Sequence, residues 1–167
     1  IDDDNVAELI QDMKGIIIPG GFGDRGISGK LAAITFCRQN SIPILGICLG
    51  MQLMPIEFAR KVAMLHNAQS SEIGKDNGEN IFSLISERGK SKSSCDMGAS
   101  MRLGSYECKI LPHTKLYDIY NQTVVHERHR HRYEFDNDYQ DILKNAGLVF
   151  SAMNPQTALV EAIEIPD

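Results

Sequence analysis

Apolar and polar positions alternate between helical and strand patterns along most of the chain. Val6, Leu9, Ile10 and Met13 recur at helical spacing, and after Gly15 the run Ile16-Ile17-Ile18 reads as a buried strand. Residues 19–30, PGGFGDRGISGK, hold too many glycines for regular structure and read as a loop leading into a helix over 31–39. A short apolar strand over 43–47 and a helix over 49–63 follow. The stretch 72–100 is polar, rich in Ser, Gly and Lys, with one apolar island at 81–85, and reads as an exposed, mobile excursion. Beyond it the pattern predicts a strand over 101–111 and a helix over 114–120. It then predicts a strand running from 123–125 through ERHRHRYEF, a helix over 137–145, and strands at 148–152 and 159–165. Strand–loop–helix alternation predicts an α/β fold: an open, mostly parallel central sheet flanked by helices.

Composition narrows the classes of function. A chain of 167 residues with 43% hydrophobic and 23% charged residues fits one globular domain, 1–167, with one core. No apolar run is long enough to cross a bilayer, and the acidic start IDDDNVAELI lacks the pattern of a secretory signal, so a cytoplasmic setting and no membrane are expected. A net charge of −5 argues against a nucleic-acid surface. The four cysteines, Cys37, Cys48, Cys95 and Cys108, form no CxxC pair or zinc pattern and read as free thiols.

Cys48 stands apart from the other three. In LGICLGMQ it lies between Gly46 and Gly50, after a predicted strand and before a predicted helix. A GxCxG junction there is the cysteine form of a nucleophile elbow, where a tight turn lifts the reactive atom above the sheet. The helix N-terminus that follows is expected to favour a thiolate. A lone cysteine would otherwise read as a small packed hydrophobe. The PGGFG loop supplies amides that could hold an oxyanion, and it lacks the Lys-Ser/Thr ending of a phosphate loop.

These segments carry a resemblance. PGGFGDRGISGK, ILGICLGMQ, the Asn-Ala-x-Ser-x-Glu stretch at 67–72, MRLG and ERHRHRYE stand in an order similar to that of the CTP synthase family, within the class I glutamine amidotransferases. The resemblance implies a glutaminase in which Cys48 attacks the carboxamide of L-glutamine. It implies an oxyanion hole from the amides of Gly21 and Leu49, and substrate contacts from Gly21, Phe22, Leu49, Gly50, Met51, Gln52, Glu72 and Arg132. Glu72 suits the α-ammonium group, and Arg132 suits the α-carboxylate, which a guanidinium can grip with two hydrogen bonds.

It further implies an amidoligase partner domain using ATP, UTP and Mg, activation by GTP, a full-length homo-tetramer, and no cofactor in this domain. The general base and its orienting carboxylate are expected in a His-Pro-Glu motif after VEAIEIPD, so the domain reads as truncated at both ends. Other readings stay open: Glu72 as a solvated carboxylate, and Arg128, Arg130 and Arg132 as a charged strand face. His129 and His131 suggest a metal pair, but no acidic or cysteine ligand accompanies them at diagnostic spacing. A non-catalytic assembly module and a γ-glutamyl hydrolase are the alternative functions.

Overall fold

A computed structural model describes residues 5–74, 78–84 and 101–165. Helix α1, Val6–Ile10, buries Val6 and Ile10, while Leu9 and Met13 stay exposed, so the apolar stripe is narrower than its spacing predicts. Strand β1, Ile16–Ile18, pairs in parallel with β2, Ile44–Gly46. Helix α2, Ile27–Gln39, joins them. It begins four residues before the predicted start, because Gly26 takes a left-handed φ of 72° as N-cap and lets the loop close directly into the helix.

Helix α3, Leu49–Lys61, follows β2 and packs on α2. Leu53, Ile56 and Ala59 of α3 meet Ala33, Ile34 and Cys37 of α2 in the main core. Burial of a Leu or Ile side chain contributes roughly 1.5–3 kcal/mol. The buried Glu57 of α3 accepts hydrogen bonds from Arg38 Nε at 2.9 Å, Arg38 Nη2 at 2.8 Å and Thr35 Oγ1 at 3.0 Å. This pairing ties the two helices together. Pro55 lies inside α3 and removes one backbone bond, yet the helix runs through it with the ring fully buried.

Strand β3, Ala68–Ser70, is parallel to β4, Glu79–Leu84, which is antiparallel to β7, Tyr133–Phe135. Strand β5, Arg102–Ile110, lies between β6, Val124–His131, and β8, Val149–Met153, and β9, Val160–Glu164, completes the order β6-β5-β8-β9. Helix α4, Lys115–Tyr120, is capped by the Thr114 hydroxyl. The predicted helix over 137–145 is a 3-10 turn, Asn137–Tyr139, running into α5, Gln140–Asn145.

The chain is thus α/β, with helices following and flanking its short sheets. A mostly parallel sheet is expected; among the described residues β1–β2 and β3–β4 are parallel and the other ladders antiparallel. Two further expectations change. Part of the supposed exposed excursion is core, since Ile81 and Phe82 of β4 are buried and Phe82 meets Phe135 edge-on at 5.5 Å. Residues 75–77 and 85–100 of that stretch lie outside the described residues. The long strand through ERHRHRYEF bends at Arg132, so β6 and β7 belong to different ladders.

Candidate active site

Cys48 is the N-cap of α3, at φ 55° and ψ −111°. A residue with a β-carbon held there carries roughly 1–3 kcal/mol of backbone strain, sustained only by its surroundings. Both flanking glycines are sterically required. A Cβ on Gly50 would lie 2.1 Å from the Ile18 carbonyl oxygen, and one on Gly46 would lie 2.5 Å from Met54 Sδ and 2.7 Å from the Gly50 carbonyl. The elbow therefore sits tight on β1, whose Ile18 carbonyl accepts from the Ile47 amide at 3.0 Å.

The PGGFG loop closes over the sulfur. A Cβ on Gly20 would stand 3.8 Å from Cys48 Sγ, and Gly21 lies against the Leu49 side chain and Lys30 Nζ. Phe22, at 84% exposure, points away from any core contact. Leu49 and Gly50 are buried, and the Leu49 backbone amide acts on the Cys48 thiol. Burial outweighs the amide, which favours the thiolate, and the charge of Glu72 adds to burial, so the thiol is pushed above its ordinary value. The helix N-terminus does not produce the expected lowered thiol. Burial raises the Cys37 thiol as well, and burial with Glu161 and Glu127 pushes Cys108 up to about 12.

A cleft of about 170 Å³ opens beside the elbow. One wall is Ile47, Cys48, Met51 and Gln52, and the opposite wall comes from the strand segment 128–135 with Val160 and Glu161. The structure therefore brings Cys48, Met51 and Gln52 into one cavity with the Arg/His segment. Arg132 is half-buried at the bend between β6 and β7, and its neighbours His131 and Tyr133, rather than Arg132 itself, line the cavity. Glu72 also stands outside the lining, at the turn after β3, near enough for its charge to act on Cys48.

Ser70 ties two of the expected substrate residues together. Its buried hydroxyl donates to Gln52 Oε1 at 3.0 Å and accepts from the Glu72 amide at 3.3 Å. Its only sequence signal is its place two residues before Glu72.

Within the far wall, and backed by Arg102, lies a buried polar cluster that sequence reading missed. Arg102 of β5 reaches Glu161 of β9 at 2.7 Å and Glu134 of β7 at 3.1 Å, with both carboxylates nearly inaccessible. Arg102 also lies 4.3 Å over the Tyr106 ring. His129 and His131 approach at 2.7 Å. Burial and Arg102 lower His129 to about 4, and burial and His129 lower His131 to about 4, so neither ring carries a full charge at neutral pH. Among the described residues, no group of three or more His, Cys, Asp or Glu is disposed to hold a metal ion, and no helix is long and apolar enough to cross a membrane.

Comparison with known proteins gives this geometry its setting. Residues 1–167 match the family described as glutamine amidotransferase class-I. The chain is 51% identical over 164 residues to CTP synthase of Bacillus cytotoxicus and to that of Bacillus mycoides, covering 98% of this chain and 30% of each relative. It thus spans about a third of the length of these curated relatives. Among solved structures, the Trypanosoma brucei CTPS glutaminase domain with bound acivicin aligns with a TM-score of 0.85 and 36% identity, over 96% of this chain and 61% of that one. With the strained elbow cysteine, the glycine loop against it and a family match over its whole length, the chain belongs to the class I glutamine amidotransferases.

Proposed function

We propose that this chain is the glutamine-hydrolysing part of a CTP synthase, acting in the cytoplasm. The observation that carries the reading is the conformation of Cys48, a nucleophile held at a strained elbow facing a cleft of small-molecule size. Sulfur attacks the glutamine side-chain carbonyl, forming a C–S bond. The C–N bond then breaks, the leaving nitrogen takes a proton and departs as ammonia, and water hydrolyses the γ-glutamyl thioester to glutamate.

The amides of Gly21 and Leu49 hold the oxyanion. Phe22 sits on the loop tip, Gly50 permits the close approach to β1, and Met51 and Gln52 contact the substrate chain. Glu72 receives the α-ammonium group and Arg132 the α-carboxylate. Ammonia passes to an amidoligase domain that aminates UTP with ATP and Mg, under activation by GTP, in a homo-tetramer. This domain needs no cofactor, metal or nucleic acid of its own. No observation favours the assembly-module or γ-glutamyl hydrolase readings.

Calorimetric titration of L-glutamine into the Cys48→Ser chain tests the reading. Glutamine should bind, and Glu72→Gln or Arg132→Met should each weaken binding by about 10–100-fold, the value of one charge-assisted hydrogen bond. Absence of glutamine binding, or indifference to both substitutions, sinks it.

A further inference from the structure

The hydrogen-bond roles in the histidine pair can be assigned from its neighbours. His131 Nδ1 lies 3.1 Å from the Tyr133 carbonyl and 3.4 Å from Glu134 Oε1, and both can only accept. His131 Nδ1 therefore carries a hydrogen. In the neutral ring its Nε2 is then a bare acceptor, so His129 Nδ1, at 2.7 Å, must donate to it. That leaves His129 Nε2 without a hydrogen. This atom is buried with no hydrogen bond, although Glu161 Oε2 stands 3.2 Å away. Two acceptors thus face each other inside a nearly inaccessible wall, a costly arrangement.

The charges around the contact point the same way. His129 faces Arg102 and Tyr106 from β5, Glu127 and His131 from β6 and Glu161 from β9, while Glu134 from β7 faces His131 and Arg102. In the buried network, Arg102 is one positive charge against the two carboxylates Glu134 and Glu161. One added proton both neutralises the network and supplies the missing donor. Burial and Arg102 disfavour a full charge on the ring, which a proton shared with the carboxylate avoids.

We propose that Glu161 is a positioning residue: it shares a proton with His129 Nε2, completing a chain through His131 to the Tyr133 carbonyl that fixes the bend carrying Arg132. Its carboxylate meanwhile stays on Arg102, which ties β5 to β9 and β7. Substrate-facing residues depend on such supporting contacts, since a displacement of about 1 Å can cost up to ~100-fold in function. The functional consequence rests on the reading of Arg132 as the glutamine-carboxylate partner; the shared proton does not.

Two measurements on the full chain separate these claims. Long-range ¹⁵N–¹H spectra of the histidines should show His129 Nε2 shifted toward the protonated position at neutral pH, with His131 as the Nδ1–H tautomer. In Glu161→Gln the new amide can donate to His129 and accept from Arg102, so His129 Nε2 should return to an acceptor shift while glutamine affinity stays at the wild-type level. Glu161→Ala should lose about tenfold in glutamine affinity. A bare His129 Nε2 in the wild type overturns the shared proton. Wild-type affinity in Glu161→Ala overturns the positioning role. Should that variant unfold by circular dichroism, the spectra and Glu161→Gln decide, a weakened Glu161→Gln with normal spectra counting against the proposal. If the unaltered chain binds no glutamine, the functional reading fails while the spectra still decide the proton.

Discussion

At the scale of the residue, Cys48 combines a conformation suited to a nucleophile with a thiol that burial keeps protonated. The elbow was legible in LGICLGMQ because its cause is local: a strand, two glycines with no room for Cβ, and a helix. The direction of the thiol's shift was not legible, because it depends on how much of the folded chain covers the sulfur and on where Glu72 arrives. With the folded value above the ordinary 9.0, the thiolate fraction at neutral pH is small and grows with pH. Alkylation of Cys48 by iodoacetamide should therefore accelerate about tenfold per pH unit from about pH 7 to about 9, without a plateau. A plateau below about pH 8 would show a depressed thiol and contradict the burial argument.

At the scale of the element, α3 and β3 show how separate segments share one site. Alternating apolar runs located β1, β2, α3 and β5 within a few residues, since each pattern matches the local geometry that buries it. The bend at Arg132 escaped the pattern. ERHRHRYEF alternates as one strand would, and only pairing with two different partners, β5 and β4, divides it. The Ser70 link between β3 and α3 was hidden for a similar reason, because a serine signals nothing until its neighbours are known. Ser70→Ala leaves Gln52 Oε1 buried without its donor and should cost about 1–3 kcal/mol, read as a lower urea midpoint. It should also weaken glutamine binding, by freeing Gln52 and the turn of Glu72. Unchanged stability together with unchanged affinity would show that the link positions nothing.

At the scale of the whole molecule, helices α2 and α3, pinned by Arg38 and Glu57, hold Cys48 on one side of the cleft. The β6-β5-β8-β9 sheet, pinned by Arg102 and Glu161 and tied to β7 through Glu134, holds the Arg/His segment on the other. Resemblance of ordered motifs reached this fold from sequence, whereas the ion pairs behind each wall became visible only with the chain folded. The central claim is that Cys48 is the thiol a glutamine-shaped ligand meets. Mass-spectrometric mapping of acivicin adducts on the full chain, with and without excess L-glutamine, tests it most directly. A single adduct on Cys48, suppressed by L-glutamine and absent from Cys37, Cys95 and Cys108, is the result expected. Adducts spread over several cysteines, or labelling of Cys48 that L-glutamine leaves unchanged, would contradict it.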